Sequence, residues 1–142
     1  MAHAVQTVTV NRPIADVFAY LADGTKDASW RPEVISINHV EGTGVGATYA
    51  QTMKGPGGRE IKGDFRFTRY DEPNRLDFEV IAGPARPLGS FELRETTPTS
   101  TEVTFTMDLK PRGLMVLMTP MINKQVQTEV SNIKNLPKAM GV

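Results

Sequence analysis

The 142-residue sequence contains no cysteine, which excludes disulfide bridges, cysteine-ligated zinc, iron–sulfur clusters and thiolate catalysis. It also lacks an excess of charge, because 16 Lys and Arg residues balance 16 Asp and Glu residues. A neutral chain has no field that attracts nucleic acid or an acidic membrane, so we predict no nucleic-acid partner. Long apolar runs are missing too. The most apolar stretch, residues 114–122, is far shorter than the ~20 residues that span a bilayer.

Chemical groups that anchor a metal or a catalytic nucleophile are equally scarce. The two histidines, His3 and His39, have no carboxylate cluster around them in the sequence, whereas a metal site needs three or four converging ligands. No serine lies in a nucleophile-elbow motif or next to a histidine. We therefore predict no metal and no cofactor.

The length and start of the chain give further expectations. A chain of 142 residues with 39% hydrophobic residues fits one compact domain over residues 1–142. Its first residues lack the basic start and apolar run of a signal peptide, so we expect a cytoplasmic protein. The end of the chain is basic, because the segment from residue 110 onward contains one acidic residue, Glu129, and five basic ones: Lys110, Arg112, Lys124, Lys134 and Lys138.

Apolar and polar residues alternate over most of the chain, which predicts half-buried strands. The alternation occurs in residues 5–10, 59–70, 76–80, 91–94 and 102–109. Glycine- and proline-rich turns separate these segments, and they are short enough for hairpins. One face of each predicted strand is charged and the other is apolar, as in an antiparallel sheet with one face packed on the core and the other exposed to solvent.

Helical spacing appears at two places. Apolar residues recur at helical intervals over residues 14–21, and a second short turn is predicted at residues 26–30. From Gly113 to about Met140 the pattern predicts one long helix that bends or restarts at Pro120 and is weakened at Pro137. We therefore predict an α+β fold. A curved antiparallel sheet of about seven strands is covered by the C-terminal helix, with one or two short helices after the first strand.

Several short motifs resemble those of the helix-grip superfamily of pollen-allergen, lipid-transfer (START-like) and polyketide cyclase/dehydrase proteins. They are Pro13-x-x-x-Val17-Phe18-x-x-Leu21-x-Asp23, Trp30-x-Pro32-x-Val34, Gly44-x-Gly46 and Asn132-Ile-Lys-Asn-Leu136. The resemblance covers the chain from about Val5 to Met140. It implies a sheet that grips the C-terminal helix, with a ligand cavity between them. Binders, carriers and enzymes share this fold, so the resemblance alone does not select an activity.

The C-terminal helix carries polar residues on its apolar side. Projected at 100° per residue from Leu114, Gln125 and Glu129 fall within the apolar arc, four residues apart and on one face. Buried polar groups without partners are costly. Three interpretations stay open: the two side chains point into a cavity, they find partners in the core, or the bend at Pro120 rotates them outward.

These patterns predict a cavity with an apolar wall and a few polar groups. Tyr49, Gln51, Gln125 and Glu129 are candidates for orienting a carbonyl or hydroxyl of the ligand. Arg86, between the predicted mouth loops 55–58 and 83–89, is the candidate for an anionic group. The predicted wall consists of Phe65, Phe67, Phe78, Val80, Phe91, Phe105, Met107, Met118, Met121 and Ile122. Trp30 either caps the pocket or anchors a short helix on the sheet, and the family motif favours the anchor.

The favoured function is the binding or transport of a small apolar ligand, lipid or polyketide-like, by a monomer or a homodimer. The alternative is a polyketide cyclase or dehydratase without metal or cysteine chemistry. In that enzyme Glu129 would be the acid–base group and Tyr49 the donor to an enolate oxygen. A third hypothesis is a partner-binding domain that uses the basic face of the C-terminal helix, and it predicts an exposed apolar patch and a closed interior.

Overall fold

A computed structural model describes residues 2–142 of the chain. Eight strands form its sheet: β1 (Ala2–Val10), β2 (Val34–Glu41), β3 (Thr48–Lys54), β4 (Glu60–Lys62), β5 (Phe65–Asp71), β6 (Arg75–Val80), β7 (Leu88–Thr97) and β8 (Ser100–Leu109). The helices are α1 (Ile14–Ala22), α2 (Thr119–Ser131) and α3 (Leu136–Ala139). Four short 3-10 segments occupy Gly24–Ser29, Pro56–Gly58, Gly113–Met118 and Asn132–Asn135.

All strand pairs of the sheet are antiparallel, as the alternating sequence pattern predicts. The strand order is β1-β8-β7-β6-β5-β3-β2, and the short strand β4 pairs with β3 outside this path. Along this path, only β1 departs from the sequence order: it lies at one edge of the sheet and pairs with β8. The rest is a meander of hairpins with helices between β1 and β2, so the predicted α+β helix-grip fold is confirmed.

The C-terminal helix is built in consecutive pieces. The 3-10 segment Gly113–Met118 leads into α2, which begins at Thr119 with Pro120 in its first turn, where a missing N–H costs nothing. A second 3-10 segment joins α2 to α3, with Pro137 in the first turn of α3. The predicted restart at Pro120 and interruption at Pro137 are therefore both present. Helix α2 packs on β1 and β8.

Trp30 anchors the segment before β2 on the inner face of the sheet. Its side chain is buried and meets Phe91 and Phe105 edge-on, with ring centroids 6.1 and 5.9 Å apart. This position fits the predicted anchor. The two phenylalanines stack on each other at 4.5 Å, so the indole closes an aromatic cluster at the centre of the core.

A glycine makes room for part of this cluster. Gly89 lies opposite Phe78 in the β6–β7 pair. A Cβ atom at position 89 would lie only 2.1 Å from the Phe78 ring. The absence of a side chain therefore allows the Phe78 ring to lie across β7.

None of the described helices is long and apolar enough to cross a membrane.

Candidate functional site

A cavity lies between the inner face of the sheet and helix α2. Its lining is mostly apolar: Leu21, Met53, Ile61, Gly63, Phe65, Phe67, Phe78, Val80, Ala85, Pro87, Phe91, Phe105, Met107, Leu109 and Val126, with Asp27, Arg31, Gln51, Lys62, Gln125 and Glu129 as its polar members. The centre of a water molecule fits in about 90 Å³ of it. This is less than the ~150 Å³ of an apolar cavity that admits benzene. A cavity of this size has room for a few water molecules or for part of a ligand.

Arg31 is the centre of a buried polar cluster in the cavity lining. Its guanidinium donates to Asp27 Oδ2 at 3.2 Å, to Gln51 Oε1 at 3.1 Å and to Glu129 Oε2 at 3.3 Å. All four residues are at least 90% buried. A charge at this depth is tolerated only when it is paired and hydrogen-bonded, so the two carboxylates and the amide hold the guanidinium in place.

The local chain explains why Asp27 and Arg31 face the same way. The Arg31 N–H donates to the Asp27 carbonyl at 2.9 Å, a helical turn that places side chains four residues apart side by side. The segment begins at Asp23, whose side chain accepts from the Thr25 N–H. Pro32 follows Arg31 and disfavours further helix. With Trp30 anchored on the sheet, the adjacent Arg31 side chain is directed into the cavity lining.

Gln51 links the cluster to the sheet. It lies on β3 and donates through Nε2 to the Gly63 carbonyl at 3.0 Å while its Oε1 accepts from Arg31. A Cβ atom at position 63 would lie 3.1 Å from Gln51 Nε2, so a glycine there permits this close approach. Both ends of the amide are thereby occupied, and its orientation is fixed.

Two polar atoms of the cluster are left without partners. Among the described residues, Glu129 Oε1 and Arg31 Nε are buried and have no hydrogen-bond partner. Glu129 Oε1 accepts hydrogen bonds when the carboxylate is ionised, and Arg31 Nε donates one. An unsatisfied buried group costs about 1–3 kcal/mol. A water molecule or a ligand group that donates to Glu129 would relieve that cost.

Burial changes the proton affinity of both carboxyl groups. It raises the pKa of Asp27 from 3.8 to about 7, against the opposing attraction of Arg31. Burial also raises the pKa of Glu129, opposed by Arg31 and reinforced by the nearby charge of Glu33. The site thus contains two carboxyl groups that hold protons to higher pH than exposed ones and share one cation.

The structure gathers many of the predicted site residues around the cavity. Gln51, Phe65, Phe67, Phe78, Val80, Phe91, Phe105, Met107, Gln125 and Glu129 all line it. The structure agrees with the first of the three interpretations of the helix projection, because Gln125 and Glu129 both line the cavity. Glu129 agrees with the second interpretation as well, since its Oε2 accepts a hydrogen bond from the buried Arg31. The outward rotation is ruled out for Glu129, which is 4% exposed.

Five predicted residues lie elsewhere. Met118 and Met121 are 44% and 47% exposed, so their assignment to the wall is corrected. Met118 belongs to a 3-10 segment over residues 113–118, which the projection from Leu114 treated as α-helix. Met121 lies on the same face of α2 as Gln125, but in the first turn of the helix, and does not line the cavity. Ile122 is buried but belongs to the core beside the cavity. Arg86 is exposed and lines a neighbouring surface depression.

Tyr49 is the fifth of these residues. It is buried with its ring stacked on Phe65 at 5.1 Å, and its hydroxyl donates to the Ala22 carbonyl at 3.4 Å. It lines a separate surface depression that also includes His39, rather than the cavity. Burial raises the pKa of Tyr49. A role as donor to a ligand in the cavity therefore has no support from its position.

Sequence reasoning missed Asp27 and Arg31, the two strongest polar groups of the site. Oppositely charged residues four apart are typical of an exposed helical turn, and the short segment has no apolar period that would mark an inner face. The signal that could have found them is their position on either side of the sequence Ala28-Ser29-Trp30, whose tryptophan anchors the turn against the sheet. Within residues 2–142, no three His, Cys, Asp or Glu side chains converge as a metal site requires.

The fold and its cavity define a helix-grip protein, in which a sheet encloses a ligand site against the C-terminal helix. A model of the family "Polyketide cyclase / dehydrase and lipid transport" matches residues 1–136. The chain belongs to this family. No curated protein matches the sequence.

Solved structures with the same fold have low sequence identity. The Zhui aromatase/cyclase from Streptomyces sp. R1128 matches with a TM-score of 0.76 at 14% identity, over 96% of this chain and 93% of that one. A START superfamily protein from Mycobacterium smegmatis matches with a TM-score of 0.75 at 10% identity, over 99% of both chains. Major latex-like protein 151 from Panax ginseng has a TM-score of 0.67 at 14% identity, over 98% and 94%. At such identities the similarity shows the shared fold.

Proposed function

We propose that the protein binds a small, mainly apolar molecule, lipid or polyketide-like, through a hydroxyl or carbonyl group placed against Arg31 and Glu129. The observation that carries the proposal is the pair of unpartnered buried atoms, Glu129 Oε1 and Arg31 Nε, in residues that line a cavity otherwise almost entirely apolar. A ligand hydroxyl can donate to the first atom, and a hydroxyl or carbonyl can accept from the second. The aromatic wall would then hold the remainder of the molecule.

The size of the cavity adds a condition to this proposal. About 90 Å³ is below the ~300–1,000 Å³ of typical small-molecule sites. A ligand of lipid or polyketide size therefore requires the cavity to widen. The lining includes Ile61 and Lys62 on the short strand β4, Ala85 and Pro87 in the β6–β7 loop, and Gln125 on α2. Ala85 and Pro87 lie outside the strands, and β4 lies off the main strand path and pairs with β3 at three positions. These segments can therefore shift without breaking the main path of the sheet.

The binding test combines native mass spectrometry with thermal shift. Freshly purified protein is expected to retain a small molecule, and fatty acids, flavonoids or aromatic ketones are expected to raise the melting temperature, because binding to the folded state stabilises it. Val80→Phe fills the cavity and should abolish the shift at a stability cost of about 1–3 kcal/mol. Ile37→Phe is the matched control, since Ile37 is half-buried and does not line the cavity. Shifts that persist in Val80→Phe contradict binding in this cavity.

A second candidate is a cyclase or dehydratase that acts on an enolisable polyketide-like ketone in the same cavity. It is favoured by one specific observation: Asp27, with its pKa raised to about 7, and Glu129 lie on either side of Arg31 in the cavity lining. A carboxyl group with a pKa near the working pH is suited to moving a proton, and the guanidinium is suited to stabilising an enolate oxygen.

Glu129→Gln separates the two candidates. In a carrier the variant keeps the shape of the site and loses modest affinity, and neither protein turns over a ketone. In an enzyme the variant keeps binding and loses about 10²–10⁴-fold in turnover. Glu79→Gln, which removes a surface carboxylate paired with Arg66, is the control. Equal affinity and equal turnover in wild type and Glu129→Gln would contradict a role for Glu129 in either function.

A further inference from the structure

An exposed apolar surface surrounds the start of the C-terminal helix. We call it the rim patch, and it consists of Leu88, Leu114, Val116, Leu117, Met118 and Met121. Leu114 and Leu117 are the most exposed, at 85% and 81%. Single exposed apolar residues are ordinary, but five of these six lie within residues 114–121, and Leu88 lines a depression with Met115 of that segment. A group of this kind marks an interaction site.

Basic side chains flank the rim patch. Arg86, Lys110 and Arg112 line one surface depression together with Leu88 and Met115. Lys124 follows Met121 by three positions on α2 and is also exposed. None of these four cations forms an ion pair with a described acidic side chain. Asp108 lines the same depression but is paired with His3, and Glu129, on the same helix as Lys124, is paired with the buried Arg31.

The rim patch also borders the cavity. Ala85 and Leu109 line both the cavity and the basic depression. Helix α2, which begins inside the patch, contributes Gln125 and Val126 to the cavity lining. The basic depression therefore adjoins the cavity at Ala85 and Leu109, and the exposed Leu114 and Leu117 lie in the segment that leads into α2.

We propose that the rim patch docks this protein on an anionic lipid bilayer, with its leucines in the headgroup region and the four flanking cations on acidic headgroups. Apolar side chains bordered by Lys and Arg are the pattern of segments that lie in a membrane interface. Each basic side chain near an anionic surface strengthens binding about fivefold. The neutral net charge of the chain is no obstacle, since attraction depends on charges within a Debye length of about 8–10 Å. This interaction goes beyond small-molecule binding and does not depend on a ligand in the cavity.

The charge pattern favours a bilayer over a second copy of the chain. In a two-fold dimer the same patch meets itself, and the cations of both copies would be brought together. A bilayer that contains acidic lipid supplies both the apolar depth and the opposite charge.

The test is sedimentation of the full chain with phosphatidylcholine vesicles, with and without phosphatidylserine. Binding is expected only to vesicles with phosphatidylserine, and it should weaken as salt rises. Leu114→Asp combined with Leu117→Asp should lower the affinity at least tenfold, and Lys110→Gln combined with Arg112→Gln should lower it by a factor of about five for each cation. The control is Val40→Asp with Val45→Asp, two valines exposed at 58% and 64% outside the patch. Melting temperatures of all variants verify that they fold.

Three results would overturn the proposal: sedimentation with neither kind of vesicle, undiminished binding by the leucine variant, or a concentration-dependent dimer that the leucine variant dissociates. The last would assign the patch to a second copy. Failure of the membrane proposal can be told apart from failure of the ligand proposal, because different variants test them. Val80→Phe should leave vesicle binding unchanged, and the leucine variant should leave the affinity for a small molecule in solution unchanged.

Discussion

The cavity lining and the rim patch reverse the usual distribution of polarity. Inside the molecule, Arg31 and two carboxyl groups are buried in a cluster of ion pairs. At the rim, leucines and methionines project into solvent. Charged groups are costly to bury, and exposed apolar groups gain nothing from folding. Neither region serves the stability of the chain best, and this is why we propose a contact with another molecule at each of them.

The interior cluster should be far more sensitive to substitution than a similar pair on the surface. Arg31→Met leaves Asp27 and Glu129 buried without their cation, and breaking such a pair costs about 3–5 kcal/mol. The matched control is Arg66→Met, which removes the exposed partner of Glu79 and should cost at most about 1 kcal/mol. Urea unfolding at neutral pH measures both. Equal losses in the two variants would remove the distinction between the interior and the surface.

Asp27 should make the stability of the protein depend on pH. The pKa of Asp27 is about 7 in the folded chain, and its ordinary value is 3.8. Between these two pH values the folded chain holds a proton that the unfolded chain has already released. Stability from this group is therefore complete below pH 3.8 and is lost as the pH rises towards about 7. The raised pKa of Glu129 acts in the same direction.

The measurement is the free energy of unfolding of wild type and Asp27→Asn from pH 4 to 8. The difference between the two proteins should change by a few kcal/mol across this interval, in favour of wild type at the acid end. Asp77→Asn, on the outer side of β6 and paired with Arg75, is the control. A pH-independent difference for Asp27→Asn would mean that this carboxyl group is ionised throughout.

Gly89 tests the rigidity of the cavity wall, because it lies opposite the cavity-lining residue Phe78. Gly89→Ala places a methyl group against the Phe78 ring, and overpacking of this kind costs about 1–3 kcal/mol. Displacement of Phe78 should also change ligand affinity. Gly57→Ala is the opposite case: a Cβ atom there meets nothing within 4 Å, so its cost reports backbone strain at a positive φ without overpacking. Thermal unfolding and a ligand titration measure both effects.

The smallest effect on stability is expected at the rim. Leu114→Ala removes a side chain that is 85% exposed and should change the free energy of unfolding by less than about 0.5 kcal/mol. The same substitution at Leu136, which is fully buried, should cost about 2–5 kcal/mol. A large loss for Leu114→Ala would show that Leu114 is packed in the folded protein.

The fold could be predicted from the sequence because its information is periodic. Alternation over residues 102–109 and helical spacing after Gly113 each repeat the same physical requirement several times, so single exceptions do not matter. The same helical period correctly placed Gln125 and Glu129 on the inner face of α2. The conformation before α2 decided Met118, because residues 113–118 form a 3-10 segment that does not follow the 100° spacing of the projection. Met121 shares the face of Gln125 but lies in the first turn of α2 and does not line the cavity, and the helical period does not show where along a helix a cavity ends.

The polar cluster was only half predictable for a different reason. Gln51 and Glu129 lie on regular elements whose inner faces can be identified from sequence. Asp27 and Arg31 lie on one irregular turn, and their burial depends on where Trp30 meets the sheet. That contact joins residues 61 and 75 positions apart in the chain, at Phe91 and Phe105, and no local pattern encodes it.

Trp30 is the single tryptophan of the chain, and its burial has an optical consequence. Its indole touches Phe91 and Phe105, both of which line the cavity, and it is adjacent in sequence to Arg31. Tryptophan fluorescence of the protein therefore arises from one location, in an apolar setting that shifts emission to shorter wavelength. A molecule that enters the cavity should change its intensity, and unfolding should shift it towards longer wavelength. The chain thus carries an intrinsic spectroscopic probe beside the cavity.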